Sequence, residues 1–309
     1  MEQSFKTIPL GVTGGPNETD ISGYLLYPSA NPDETLCLDA GSLLGGLRIA
    51  GAKGNLKDYT LKDKALIPVG EVFLNKIRAY LITHAHLDHI AALVINSQAD
   101  ALGKYIVGIN STINNLRDYI FNAIIWPNYG SEGNEPVLRH YEYIRVPLHE
   151  EIEIPGTKYR IEAYRLSHPH EYPSSAFLIQ YQGSYVLYLG DTSPDALEKE
   201  KHLSHIWKRI APLIKEKRIR ALFLECSVPD ADSAQVVYGH LNPKLMMAEL
   251  QILAKEAGCS LEGLKVVITH RKESLYVAKT RESVKEELLA NNKLKLDLIF
   301  PSQGDLIEL

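Results

Sequence analysis

One six-residue stretch of this chain concentrates metal-binding chemistry: His84-Ala85-His86-Leu87-Asp88-His89. Three imidazoles and a carboxylate suit a divalent transition ion. Zinc fits this nitrogen-rich set first, and iron or manganese also accept it. The apolar run 79–82 before the stretch is predicted as a buried strand, and 90–95 after it as a helix. Alternate residues of an extended chain face the same side, so His84 and His86 can grip one ion together. The turn into the helix then aims Asp88 and His89 elsewhere, toward a second ion nearby.

A two-metal centre needs further ligands, and strand ends are where they belong. His168 follows a predicted strand 159–166 through Ser167. Asp191 follows strand 185–189 in Gly190-Asp191-Thr192, and His270 ends strand 264–269 in Thr269-His270-Arg271. Each is weak alone; beside the first motif they read as a set.

The elements that must carry these residues are mostly strands. Predicted strands cover 5–11, 22–27, 35–40, 78–83, 105–109, 141–148, 159–166, 175–181, 185–189, 220–225, 264–269 and 296–300. Gln182-Gly183-Ser184 between two of them signals a tight hairpin. Helical spacing of Leu203, Ile206, Trp207 and Ile210 predicts a helix starting at Ser193-Pro194-Asp195, which Pro212 should kink or split. Asn242-Pro243 reads as the start of another helix and Gly258 as its stop. A third is predicted over 112–125, before a loop, 126–136, rich in Pro, Gly and Asn. This order suits two mixed sheets covered by helices, in one α/β domain spanning 1–309. No internal repeat or linker is visible.

Composition narrows the function classes. With 33 Lys and Arg against 38 Asp and Glu, the net charge is −5, which argues against a protein that tracks nucleic-acid phosphates. It leaves room for a small anionic substrate in a local pocket. Cys37, Cys226 and Cys259 lie far apart and read as buried free thiols. No apolar run approaches the roughly 20 residues needed to cross a bilayer. The first residues lack a signal-peptide pattern, so the expected location is the cytoplasm, or the periplasm if a leader has been removed.

The HxHxDH motif with separate His, Asp and His at strand ends resembles the metallo-β-lactamase superfamily. That resemblance implies a four-layer αββα sandwich with two metal ions between the sheets. It implies that His84, His86 and His168 hold one ion, and that Asp88, His89 and His270 hold the other, with Asp191 bridging. A finer resemblance is to the class II cyclic-nucleotide phosphodiesterases, whose signature His84-Ala85-His86-Leu87-Asp88-His89-Ile90 follows through an aliphatic run to Ser97. Ala92 and Gln98 depart from that signature, and both lie outside the ligands. Gly14-Gly15, Trp126-Pro127-Asn128 and Gly239-His240-Leu241 agree with it.

The resemblance implies hydrolysis of a 3′,5′-cyclic nucleotide (cAMP, cGMP or both) to the 5′-monophosphate by hydroxide generated between two divalent ions, zinc foremost. His240 is the expected proton donor to the leaving 3′-oxygen, and with Asp88 completes the catalytic set. Glu225 would orient His240 or a ligand imidazole, and Asp39 would support a ligand from behind. Trp126 is a candidate to stack on the base, and Thr192 and Ser227 to reach phosphate oxygens. His140, His149, His170, His202 and His205 read as structural or surface residues. The expected partner is the small cyclic nucleotide, with no nucleic-acid polymer and no membrane; 17 tyrosines are compatible with a homodimer. The rival functions are another hydrolase of the same fold, acting on RNA ends, thioesters or lactones, and a non-catalytic cyclic-nucleotide sensor.

Overall fold

The computed structural model of the chain describes residues 4–169, 172–231, 239–275 and 281–309. In chain order its strands are β1 (Phe5–Gly11), β2 (Gly23–Pro28), β3 (Thr35–Leu38), β4 (Ile77–Leu81), β5 (Lys104–Gly108), β6 (Tyr141–Arg145), β7 (Glu151–Glu153), β8 (Tyr159–Ser167), β9 (Pro173–Tyr181), β10 (Ser184–Leu189), β11 (Ile219–Glu225), β12 (Lys265–Thr269), β13 (Asp297–Ile299) and β14 (Ile307–Glu308). They form two sheets, ordered β14-β1-β2-β3-β4-β5-β6 and β13-β12-β11-β10-β9-β8-β7. The helices are α1 (Leu44–Ala52), α2 (Pro68–Glu71), α3 (Leu87–Asn96), α4 (Asn110–Asn115), α5 (His202–Lys215), α6 (Pro243–Ala257) and α7 (Arg281–Asn291).

Side-chain alternation along the strands sets the layers. Leu26 of β2, Leu81 of β4, Val186 of β10 and Phe223 of β11 meet in one core between the sheets. Their neighbours point the other way. Leu25 and Tyr80 pack outward with Leu47 of α1 and Ile90 of α3. Leu187 and Leu222 pack outward with Trp207 of α5 and Leu250 of α6. The result is the αββα sandwich expected from the sequence. Among the described residues no helix is long and apolar enough to cross a membrane.

All twelve predicted strands occur, with shifted ends. The strand predicted over 78–83 stops at Leu81, because the chain leaves the sheet there to build the loop that carries His84 and His86. The sequence reading misses β7 and β14, short edge strands in which one apolar residue gives no periodic signal. In the β9–β10 hairpin, Ser184 pairs with Tyr181, so the turn proper is Gln182-Gly183, both at positive φ. That is the geometry a two-residue hairpin requires.

Three helix expectations need correction. Pro212 does not split α5, which runs unbroken from His202 to Lys215. It sits in the last turn, and the carbonyl four residues back belongs to exposed Lys208, while Leu203, Ile206, Trp207, Ile210 and Leu213 fix the buried face. The helix also starts later than Asp195. That residue forms a separate short turn and caps α5 at a distance, its carboxylate accepting from Leu203 N at 3.0 Å and Ser204 N at 2.7 Å. The helix predicted over 112–125 ends as α4 plus one wider turn through Ile120. Asn122 Oδ1 accepts from Ile124 N and Ile125 N, taking those donors out of any helix. Asn242 and Gly258 bound α6 as expected, with Asn242 Oδ1 accepting from Leu245 N at 2.9 Å and Gly258 left-handed. Cys37, Cys226 and Cys259 are free thiols, but Cys259 is only half-buried, against expectation.

In each sheet the strands from the centre to one edge run parallel: β3-β4-β5-β6 in one and β10-β11-β12-β13 in the other. Antiparallel β8 and β9 turn the chain so that β8 runs in the direction of β10. Asp39 therefore follows β3, the loop with His84 and His86 and the first turn of α3 with Asp88 and His89 follow β4, and His168, Asp191 and His270 follow β8, β10 and β12. Chain segments leaving the carboxyl ends of parallel strands are where side chains converge in open α/β sheets.

Candidate metal centre

Asp191 stands in the middle of the cluster. Its Oδ1 is 3.3 Å from His89 Nε2, and its Oδ2 is 3.2 Å from His270 Nε2, 3.8 Å from His168 Nε2 and 3.9 Å from His84 Nε2. On one side His84, His86 and His168 bring ligand atoms within 4.8 Å of one another; on the other, Asp88, His89 and His270 do the same. Glu225, His240 and His270 also meet that spacing. All seven residues named from the sequence lie together in space.

The imidazoles are held from behind. His84 Nδ1 meets Thr83 Oγ1 at 3.0 Å, His168 Nδ1 meets the Gly239 carbonyl at 3.2 Å, and His270 Nδ1 meets Ser227 Oγ at 2.9 Å. His89 Nδ1 lies 2.8 Å from Asp39 Oδ2. Such outer partners fix which ring nitrogen carries the proton and leave Nε2 as a lone pair facing inward. His86 differs: its Nδ1 faces His84 Nε2 at 3.0 Å, and its ring stacks on Tyr172 at 4.2 Å between centroids.

Asp39 is itself a hub. Besides His89, it accepts from Thr83 N at 2.8 Å and Tyr188 Oη at 2.8 Å, and from Thr83 Oγ1. The sequence reading placed Asp39 near the site but missed Thr83, Tyr172 and Tyr188. Tyr188 carried a faint signal, since a tyrosine in a buried strand needs a partner for its hydroxyl.

Burial holds the His84 imidazole well below its ordinary range and lowers His168 to about 4, so both are neutral. Burial lowers His86 as well. Burial also works against charge on His89, but Asp191, Asp39 and Asp88 outweigh it and hold that ring high. Asp191 is kept ionised despite burial by His270 and His89. The cluster thus sets the neutral imidazoles of His84, His86 and His168 beside an ionised Asp191, while His89, held charged by its carboxylate neighbours, would exchange its Nε2 proton for a bound ion. Among the described residues His89 Nε2 is buried without a well-directed hydrogen-bond partner, Asp191 Oδ1 standing 3.3 Å away. An orphaned nitrogen facing two carboxylates is what a divalent cation would satisfy, so the donor set fits metal.

His240 sits beside this cluster. Its Nδ1 is 3.0 Å from Glu225 Oε1 and 3.2 Å from Oε2, and its ring lies near-parallel to His270 at 5.1 Å. Burial disfavours its charge, but Glu225 outweighs that and raises it above the ordinary imidazole value. It does not cap the following helix; Asn242 does.

The other sequence candidates have defined places. Trp126 Nε1 donates to Ser97 Oγ at 3.0 Å, and the indole packs on the outer core of the first sheet. Asn128 Nδ2 donates to the carbonyls of Glu132 and Asn134. Thr192 N donates to Glu225 Oε1 at 2.8 Å and its hydroxyl to Ser193 O, while the Ser227 hydroxyl donates to Glu225. These groups build the wall around Glu225. His205 is exposed, His202 pairs with Glu200, His149 packs edge-on against Tyr164 and His140 against Tyr129. His170 lies outside the described residues. A cavity of about 510 Å³ opens beside His168 and Tyr172, with Arg165, Ser167, Lys199 and His202 in its lining.

Comparison with known proteins agrees with this geometry. A family model described as cAMP phosphodiesterases class-II matches residues 65–304. A 3′,5′-cyclic-nucleotide phosphodiesterase of Aliivibrio fischeri is 32% identical over 308 residues, covering 99% of this chain and 93% of that protein. The crystal structure of unliganded yeast PDE1 superposes with a TM-score of 0.87 at 24% identity, covering 100% of both chains. The metallo-β-lactamase fold protein YhfI from Bacillus subtilis gives a TM-score of 0.61 at 19% identity over 98% of this chain and 99% of its own. The last two show the fold.

Proposed function

The chain belongs to the class-II cAMP phosphodiesterases, and on that premise we propose that it hydrolyses the 3′,5′-cyclic phosphodiester of cAMP, cGMP or both to the nucleoside 5′-monophosphate. The observation that carries this is the convergence of His84, His86, His168, Asp88, His89 and His270 around Asp191. His84, His86 and His168 would hold one divalent ion, and Asp88, His89 and His270 the other, with Asp191 between them. Zinc suits the donors first. Such ions, when bound, act as Lewis acids on phosphoryl oxygens and lower the pKa of water toward 7.

The chain's own groups do the rest. Thr83, Asp39, Gly239 and Ser227 fix the imidazoles in the ligating tautomer. His240, with Nδ1 engaged by Glu225, has Nε2 left to pass a proton to the departing 3′-oxygen. Glu225 keeps that ring charged and oriented. The cavity beside His168 and Tyr172 has room for the nucleoside while the phosphate lies at the cluster.

The test is incubation of the purified protein with cAMP and cGMP, with product identification and metal analysis on the same sample. Formation of 5′-AMP or 5′-GMP, abolished by a chelator and restored by zinc, is expected. Metal-loaded protein that leaves both cyclic nucleotides intact but cleaves a thioester, a lactone or an RNA end would overturn the proposal.

A further inference from the structure

The loop after β1 passes directly over one of the ligand imidazoles. A Cβ at Gly14 would lie 2.1 Å from His270 Cε1, 2.3 Å from Nδ1 and 2.5 Å from Nε2. Gly14 does not have the positive φ that favours glycine, unlike its neighbour Gly15. The need for glycine at 14 is therefore steric: only a residue without a side chain lets this backbone close over the ring.

The ring has little freedom to withdraw. Its Nδ1 is held by Ser227, its Nε2 faces Asp88 and Asp191, each at 3.2 Å, and the rings of His89 and His240 lie near-parallel to it at 5.2 and 5.1 Å. The loop cannot easily lift either. Glu273 N donates to Gly15 O, Asn17 Nδ2 donates to Glu273 Oε1, and Arg281 bridges Glu273 and Asp20. Relieving the clash to ordinary contact requires a displacement of more than 1 Å. Zinc–nitrogen bonds of about 2.0–2.1 Å do not tolerate that.

We propose that Gly14 is a positioning residue for the ion held by Asp88, His89 and His270. Its bare backbone is the stop that sets His270, so a methyl group there disables one metal subsite and spares the other. The inference rests on the two-ion reading given above.

The experiment uses the full chain and zinc, with metal content after equilibration against a competing chelator and thermal unfolding as readouts. In the parent, two ions are expected. In Gly14→Ala, one ion should keep parent affinity and the other weaken about 10–100-fold. His270→Ala should show the same loss. In the His270→Ala background, adding Gly14→Ala should change neither metal content nor unfolding temperature, because the clashing ring is gone. Two ions of parent affinity in Gly14→Ala would overturn the proposal, as would an undiminished effect of Gly14→Ala in the His270→Ala background. Were Gly14→Ala alone too unstable to purify, a folded one-ion double variant would support the clash, and an unfolded one would refute it. Absence of metal from the parent would instead refute the two-ion reading.

Discussion

Asp39→Asn separates the support of a ligand from the stability of the fold. Every group around the Asp39 carboxylate is a donor or has to act as one: Thr83 N and Oγ1, Tyr188 Oη, and His89 Nδ1. An isosteric amide keeps one acceptor. With its oxygen facing Thr83 N, its NH₂ faces Tyr188 and His89, each 2.8 Å from Oδ2 in the parent. The Tyr188 hydroxyl can rotate and accept. His89 can accept only by giving up its Nδ1 proton and keeping one on Nε2, the atom that faces Asp88 and Asp191. Metal-free protein should therefore lose only about 1 kcal/mol, because hydrogen bonds are re-formed. The ion at His89 should bind about 10–100-fold more weakly, about 1.4–2.8 kcal/mol. Competition with a chromophoric chelator measures the second quantity, and unfolding in excess chelator the first. By contrast, Asp39→Ala strands the donors and should cost about 3–5 kcal/mol without metal. Parent metal affinity in Asp39→Asn would refute the reasoning, as would an equal loss of metal-free stability in the Asn and Ala variants.

His240→Ala should bind both ions yet turn over cAMP about 10²–10⁴-fold more slowly; metal analysis beside steady-state rates checks this, and parent turnover rules out the proton-donor role. Glu225→Gln should slow turnover in the same direction, and combining it with His240→Ala should add little, since the two act as a unit. In chelator-stripped protein, burial keeps His168 neutral down to about 4, whereas the unfolded chain protonates it near 6.5. Its contribution to stability is thus complete above about pH 6.5 and is lost as pH falls toward 4, about 3 kcal/mol in all. Denaturant titrations across that window should show a shallower pH slope for His168→Gln than for the parent; equal slopes would contradict the assignment.

The residues proposed to hold metal were legible in the sequence, because their types and local spacing carry the chemistry. Histidines at alternate extended positions, a carboxylate and a histidine in the next helical turn, and lone ligands just past strands are local facts. The order of strands and helices also suited two mixed sheets covered by helices, but strands such as β2 and β10 are apolar on both faces, so which face turns inward was left to the folded chain. What only the tertiary structure decided is how distant segments meet. The pairing of His240 with Glu225, the donors gathered on Asp39, and the passage of Gly14 over His270 join residues 15 to 256 positions apart, and no local pattern records them. Nor did local signals give the ends of α4 and α5, because Asn122 and Asp195 act through side-chain hydrogen bonds rather than periodicity. Ligand identity follows from side-chain chemistry and short-range geometry; ligand support follows from sheet order and close backbone approach, which depend on the whole chain being folded.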